Sequence, residues 1–185
     1  MLSYWSERFG PRVFVPAAAL IALAAQTGTA LDPLRWMIAT PIALSLVAQF
    51  RLWDDLADRE RDRETHPERT LVRAESVAPF AMTCAGLAAV NVLLLLAWNG
   101  LAGAASLAAL DGAAVAWYLW RPKRRTASSD LALLAKYPAF VVLLAPSPAW
   151  PLPSIWIAAL ATYAGACAFE AWHDSSGPLR VWFNQ

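Results

Sequence analysis

Residues 41–71 read "PIALSLVAQFRLWDDLADRERDRETHPERTL", an uncharged apolar stretch that runs directly into a dense cluster of charge. Positions 51–62 alone carry eight arginine and acidic residues. A long apolar run is typical of a membrane span, and ionisable side chains at its end are costly where they face lipid. The stretch therefore predicts a membrane helix that ends in a polar cavity.

The composition of the whole chain agrees with a membrane protein. Of its 185 residues, 58% are hydrophobic and 16% are charged, whereas average soluble domains have roughly 45–50% apolar and about 25% charged residues. Cys84 and Cys167 lie in apolar runs without metal or redox spacing, so we expect small buried side chains. No repeat or linker divides the sequence, which predicts one domain over residues 1–185.

Six apolar runs predict an all-α, polytopic helical bundle. A helix that rises about 1.5 Å per residue needs roughly 20 residues to cross the hydrocarbon, and each run approaches that length. The predicted spans lie near residues 13–31, 36–53, 76–98, 100–120, 131–149 and 152–172. The first run also resembles a secretory signal peptide, but removing it would leave an odd number of helices that disagrees with the charge pattern.

The basic residues predict the orientation of these helices. With the N-terminus in the cytoplasm, the outer loops hold one of the fifteen lysines and arginines, Arg35. Such a bias indicates that both termini lie on the cytoplasmic side. We expect an integral protein of the cytoplasmic membrane, in contact with lipid and not with nucleic acid. The second, fifth and sixth spans carry charge at their inner ends, which predicts one shared cavity facing the cytoplasm.

Three aspartates near the end of the second span fall on one helix face. Asp55, Asp58 and Asp62 are separated by three and four residues, so they form one stripe. Like charges in this arrangement repel one another, which a bound cation would relieve. Carboxylates are ligands of hard divalent cations such as Mg²⁺, and no Cys/His set favours zinc. The alternative is a solvated helix end whose acids are balanced by the neighbouring arginines.

The same residues carry a family likeness. "DDLADRERD" (54–62) resembles the N/D-D-x-x-D-x-x-x-D motif of the UbiA superfamily of intramembrane prenyltransferases. "HPERTL" (66–71) is similar to that family's K-P-x-R-P-[IL] segment, with Thr70 in place of the second proline. "FEAWHDSSG" (169–177) resembles the second acidic motif, with glutamate at its first position, and "YLWRPKRR" (118–125) resembles a tyrosine-proline-lysine segment.

The resemblance implies a Mg²⁺-dependent transfer of a prenyl group from an allylic prenyl diphosphate to a lipophilic acceptor. It implies a catalytic, metal-binding set in two clusters: Asp55, Asp58 and Asp62 in the first, Glu170 and Asp174 in the second. Further candidates would contact the diphosphate or stabilise the allylic cation: Arg69, Lys123, Lys136, Tyr137 and Tyr163. Asp111 lies in mid-span, where it would be a proton acceptor or cation stabiliser, or equally a protonated carboxyl bonded to a neighbouring helix.

The chain departs from the resembled family in length, because members usually have nine transmembrane helices and six are predicted here. A homodimer would close the cavity, or the substrate would be smaller than a long polyprenyl chain. Other functions stay open at this point. They are a membrane terpene cyclase that uses the same ionisation, a non-catalytic protein that binds divalent cations, and a non-catalytic membrane partner.

Overall fold

The computed structural model describes residues 1–121, 125–174 and 177–183, and these ranges are helical with no strand. Lys123 lies outside the described residues. The predicted all-α class is confirmed. The α-helices are α1 Leu2–Arg8, α2 Pro11–Ala24, α3 Pro33–Thr65, α4 Thr70–Arg73, α5 Ala78–Trp120, α6 Ala127–Leu134, α7 Lys136–Leu144, α8 Pro153–His173 and α9 Pro178–Phe183; a 3₁₀ turn covers Ser147–Ala149.

Four helical segments in the described part are long and apolar enough to cross a membrane. They are α3, α5, the consecutive pair α6–α7, and α8. Large apolar side chains on these helices point outward, including Met82, Leu101 and Leu160, which are at least 65% exposed. Such an outer surface suits contact with lipid, and the chain is a membrane protein.

The first apolar run forms a shorter helix than the predicted 13–31. Helix α2 has 14 residues and ends at Ala24, which is less than the roughly 20 residues of a typical span. A turn follows, in which Gly28 takes a φ of +86° and the Thr29 hydroxyl donates to the carbonyl of Gln26 at 2.8 Å. Hydroxyl-bearing residues and glycine favour such turns over a continued helix. The predicted span followed the apolar run and therefore extended past this turn.

Helix α5 is broken in its middle and folds back on itself. Asn99 and Gly100 leave helical geometry, with φ of −129° and +67° respectively. A methyl group added to Gly103 would lie 2.8 Å from the carbonyl oxygen of Leu95, although eight residues of straight helix would span about 12 Å. The segments 78–98 and 101–120 are therefore two antiparallel arms, and glycine at position 103 allows their close approach.

Polar side chains join these arms to α3. The Asn91 amide donates to Gln49 Oε1 at 2.7 Å, and Gln49 Nε2 donates to Asp111 Oδ1 at 2.9 Å. Gln49 and Asn91 are fully buried. Asp111 thus bonds to a neighbouring helix, as one of the two sequence alternatives expected. These two hydrogen bonds hold both arms of α5 beside the same residue of α3, Gln49.

The apolar core lies among α2, α3, α5, α7 and α8. Its largest fully buried side chains come from four of these helices: Leu46, Phe50, Leu95, Leu107, Phe140, Leu144 and Ile155. Burying a leucine or phenylalanine contributes about 1.5–3 kcal/mol in water, but in lipid the packing itself holds the helices together. This core orients the C-terminal end of α3 toward the beginnings of α6 and α7 and the end of α8.

Candidate functional site

A polar cavity of about 690 Å³ lies where these helix ends meet. It brings together both acidic motifs, which are separated by more than 100 residues in the chain. Most of the predicted site residues line it: Asp55, Asp58, Asp62, Arg69, Lys136, Tyr137, Glu170 and Asp174. The shared cavity predicted from charge at the span ends is therefore present in the fold.

One side of the cavity is the α3 wall, which we define as Asp54, Asp55, Asp58 and Asp62. Helix α3 continues to Thr65, twelve residues beyond the predicted end of the span, so all four aspartates remain in regular helix. Their cationic partners come from several other elements of the chain. The pairs are Asp54–Lys136, Asp55–Arg8, Asp58–Arg121 and Asp62–Arg69.

Asp55 is held by the N-terminal helix. The Arg8 guanidinium donates through Nε to Oδ2 at 2.9 Å and through Nη2 to Oδ1 at 2.7 Å. The Tyr4 hydroxyl also donates to Oδ2, at 2.8 Å. Burial and the negative charge of Asp55 raise the pKa of Tyr4, so the hydroxyl keeps its proton and remains a donor. Burial opposes the charge on Arg8, but its bonds to Asp55 outweigh this and raise its pKa.

A second contact ties α1 to the segment after the first motif. The backbone N–H of Thr70 donates to Glu7 Oε2 at 3.0 Å, and its hydroxyl donates to the same oxygen at 2.5 Å. Proline at this position would have no N–H to donate. The replacement of the resembled family's proline by Thr70 therefore has a local structural reason.

The arginines interleaved with the aspartates have separate roles. Arg61 pairs with Asp58 at 2.5 Å, and Arg63 pairs with the exposed Glu60 at 2.7 Å. Arg59 instead donates to the backbone carbonyls of Leu71 and Ala74, at 3.1 and 2.9 Å. The reading of this segment as a charge-balanced solvated helix end holds for Glu60, whereas the aspartates of the stripe line the cavity.

The opposite side is the α6–α8 wall, which we define as Asp130, Glu170 and Asp174. All three carboxylates contact one guanidinium, that of Arg125, at 2.7, 2.7 and 2.6 Å. Burial opposes the charge on Arg125, but its hydrogen bonds with Asp130 and Asp174 outweigh this and raise its pKa. The guanidinium is therefore a permanent cation at the centre of this wall.

Asp130 is the most deeply buried member of the α6–α8 wall, with 4% exposure. Its Oδ1 accepts from Arg125, while its Oδ2 is buried and has no hydrogen-bond partner among the described residues. A capping box positions it: the Ser129 N–H donates to Thr126 Oγ1, and the Thr126 N–H donates to Ser129 Oγ. This box begins α6 and directs Asp130 from its first turn into the cavity lining.

Two predicted site residues lie elsewhere. Asp111 and Tyr163 are not among the described residues that line the cavity. Asp111 belongs to the buried contact with Gln49, and the Tyr163 hydroxyl donates to the carbonyl of Leu131 at 2.9 Å. Tyr163 therefore holds α8 against α6, which bears the neighbouring Asp130.

Sequence reasoning did not predict several site residues, among them Tyr4, Arg8, Arg121 and Arg125, which contact the acidic motifs, and Asp130, which shares Arg125 with the second motif. A weak signal for Arg8 and Arg125 existed, because both lie in segments predicted to be cytoplasmic. Their partners are 45 to 49 residues away along the chain, and nothing in local periodicity reveals contacts over that separation. Asp130 was read only as part of a loop.

The donor chemistry of the cavity fits a hard divalent cation, since its candidate ligands are carboxylate oxygens. Among the described residues, however, no group of three His, Cys, Asp or Glu side chains is arranged to hold a metal ion. Each carboxylate of the two walls instead pairs with a guanidinium or ammonium group. Metal binding at either wall therefore requires that a basic side chain leave its carboxylate.

Charge is balanced among the described residues that line the cavity, with seven carboxylates and seven arginine or lysine side chains. A group that carries both signs, such as a metal-bound diphosphate, can enter without leaving a large net charge.

No family model, curated protein or solved structure matches this chain. The likeness to the UbiA superfamily rests on the motifs quoted above.

Proposed function

We propose that the protein is an intramembrane enzyme that transfers a prenyl group from an allylic prenyl diphosphate to a lipophilic acceptor. The observation that carries the proposal is the cavity of about 690 Å³, lined by both acidic motifs and seven basic side chains, at the ends of apolar helices. A prenyl diphosphate combines a polyanionic head with an apolar tail. The head suits the basic groups, and the tail suits the apolar part of the lining, Leu133, Leu134 and Tyr137.

The basic groups of the α3 wall are suited to hold the diphosphate. Arginine binds phosphate oxygens through paired N–H groups, and lysine binds them as a point charge. Arg69 and Arg121 each reach the cavity from outside α3, and Lys136 reaches it from α7. Each can exchange its aspartate for a phosphate oxygen, which leaves the aspartate free for a metal ion.

Magnesium, when bound by Asp58 and Asp62 and by Glu170 and Asp174, would neutralise the diphosphate oxygens and make diphosphate a better leaving group. The allylic C–O bond then breaks, and its electron pair departs with the diphosphate. The positive charge remains on the prenyl group. The ring of Tyr137 lines the cavity and offers its face to this cation.

An acceptor attacks the allylic cation to form the new bond and then loses a proton. If no acceptor is present, a double bond of the prenyl chain itself attacks, and the resulting cyclic cation loses a proton to give a cyclic product. Transfer and cyclisation therefore share the ionisation step and differ in the nucleophile. Analysis of the product separates them.

We also propose six membrane spans with both termini in the cytoplasm, in which the 14-residue α2 is a shorter span than the other five. The break at Asn99 and Gly100 supports this proposal, because each arm of α5 has about the length of one span. In a protein without Cys84 and Cys167, single cysteines would be placed at Ala30, Leu101 and Glu64. A membrane-impermeant maleimide should label the first two in intact cells, and Glu64→Cys only after permeabilisation. Labelling of Leu101→Cys from the inside would contradict six spans.

The activity test uses the purified full-length chain in detergent, with Mg²⁺ and labelled allylic diphosphates of several lengths, with and without membrane lipid extract. We expect release of diphosphate that disappears with EDTA and in Asp58→Asn. Glu60→Gln is the matched control. The carboxylate of Glu60 is on the same helix as Asp58 but is not part of the described cavity lining. Thermal unfolding checks that both variants are folded.

Absence of diphosphate release with every donor would reject the proposed enzymatic function. Uptake of divalent cations by liposomes containing the protein, in the absence of release, would favour a non-catalytic cation-binding protein. Release that persists in Asp58→Asn would reject the role of the α3 wall.

A further inference from the structure

We propose that Asp130, a residue outside both acidic motifs, forms a divalent-cation site with Glu170 and Asp174, and that the Arg125 guanidinium occupies this site until the metal displaces it. The part that the metal plays in prenyl transfer rests on the proposed function. The binding of the metal does not, and it can be measured without any diphosphate.

The buried oxygen of Asp130 is the first observation behind this site. A carboxylate oxygen that is removed from water without a hydrogen-bond partner loses its hydration without compensation, which destabilises the folded state. Among the described residues, Asp130 Oδ2 is such an oxygen, because it is buried and has no hydrogen-bond partner. Asp130 as a whole is 4% exposed and belongs to the lining of the cavity. A cation bound beside Asp130 would supply the missing partner.

The contacts of Arg125 are the second observation. Its Nε, Nη1 and Nη2 atoms donate to Asp130, Asp174 and Glu170 respectively. Three carboxylates from two helices thus surround one positive group. They face a planar guanidinium from three directions, and a smaller spherical ion would draw their oxygens closer together.

The two walls differ in how they are neutralised. Each aspartate of the α3 wall has at least one basic partner, and Asp55 and Asp58 have two each. On the α6–α8 wall, three carboxylates share the guanidinium of Arg125. Movement of a single guanidinium therefore changes the contacts of all three carboxylates on the α6–α8 wall, whereas the α3 wall would require several basic groups to move.

The chemistry of the ligands selects the class of ion. Three carboxylates provide hard anionic oxygens, which favour Mg²⁺ or Mn²⁺ over softer metals. The exchange leaves Arg125 in the same cavity as a free guanidinium. There it would contact the diphosphate oxygens, for which its paired N–H groups are suited. Metal and substrate binding would then reinforce each other.

The test measures Mn²⁺ binding to the purified full-length protein by electron paramagnetic resonance, with no diphosphate present. We expect Asp130→Asn to weaken binding by at least about tenfold, the order of effect seen when a metal site loses a supporting group. We expect Arg125→Gln to strengthen it, because the competing cation is gone. Glu60→Gln, a carboxylate on the exposed face of α3, should bind as the wild type does.

Unchanged Mn²⁺ affinity in folded Asp130→Asn would overturn the proposal. If that variant does not fold, Arg125→Gln decides, and the absence of any gain in its affinity would overturn the proposal as well. Prenyl transfer that survives the loss of this Mn²⁺ site would reject the part of this site in transfer and leave the proposed function standing. Mn²⁺ binding that is intact while no donor releases diphosphate would reject the proposed function and leave the metal site standing.

Discussion

The two walls of the cavity present similar carboxylates in different electrostatic settings. On the α3 wall, basic groups from α1, α7 and the ends of α4 and α5 neutralise four aspartates, and one of these, Asp55, is also bound by a tyrosine. On the α6–α8 wall, the guanidinium of Arg125 contacts three acids at once. The first arrangement ties α3 to several helices, whereas in the second a single basic group bridges α6 and the end of α8.

An acidic motif is therefore not by itself a metal site. Within the stripe on α3, both oxygens of Asp55 accept hydrogen bonds, from Arg8 and from Tyr4. Arg69 contacts one oxygen of Asp62, and Arg61 and Arg121 contact Asp58 where its side chain is 17% exposed. We therefore expect Asp58 and Asp62 to exchange partners during function and Asp55 to keep its own.

The largest effect on stability is expected for Arg8→Met. It leaves Asp55 buried without its bidentate partner, and breaking a buried ion pair costs about 3–5 kcal/mol. Thermal unfolding in detergent measures the loss. The double variant Arg8→Met with Asp55→Leu should regain most of it, because no charge then remains buried. Equal stability of Arg8→Met and the wild type would show that α1 does not hold the α3 wall.

A smaller loss is expected for Arg125→Gln, of about 1–2 kcal/mol in the free energy of unfolding. Arg125 and Glu170 are each about 30% exposed, so water replaces part of the lost interaction. The glutamine amide, unlike the methionine of Arg8→Met, can still donate a hydrogen bond to the buried Asp130. Addition of Mn²⁺ should restore stability in this variant more than in the wild type, since ligand that binds the folded state stabilises it. Mn²⁺ that stabilises both proteins equally would remove the distinction between the walls.

The contact between Glu7 of α1 and the start of α4 can be tested at Thr70. Thr70→Pro removes both donors to Glu7 and should cost about 1 kcal/mol. Proline is otherwise tolerated there, because Thr70 is the first residue of α4 and Arg69 has the extended backbone that precedes proline. Thr70→Ser keeps both donors and is the control. A fully stable Thr70→Pro variant would show that Glu7 contributes nothing.

The smallest effect is expected for Arg63→Gln, which removes the exposed pair with Glu60. Their side chains are 48% and 78% exposed, and such surface pairs contribute about 0–1 kcal/mol. We expect thermal unfolding close to that of the wild type. A loss as large as that of Arg125→Gln would mean that the segment after Asp58 is more tightly packed than its exposure indicates.

Much of this arrangement could be predicted from the sequence, because it follows from local patterns. Apolar runs identified the helices, and the spacing of Asp55, Asp58 and Asp62 placed them on one face. The charges at the inner ends of three predicted spans indicated a shared cavity. These predictions needed only helix periodicity and the cost of charge in lipid.

The partners of the acids could not be predicted, because they depend on contacts between distant segments. Arg8 reaches Asp55 across 47 residues, and Arg125 reaches Glu170 across 45. Asp111 and Tyr163 had suitable chemistry for the site, but both lie in contacts between helices and neither is among the described residues that line the cavity. The early end of α2 depended on a local turn that hydrophobicity alone does not reveal.

The central claim is that the cavity holds a metal-bound prenyl diphosphate head. The most direct measurement is calorimetric titration of the purified protein with an unreactive thiolo analogue of a prenyl diphosphate, with and without Mg²⁺. We predict saturable binding that needs Mg²⁺, is lost in Asp58→Asn and is kept in Glu60→Gln. Binding that is equally tight without Mg²⁺, or that is unchanged in Asp58→Asn, would contradict the claim.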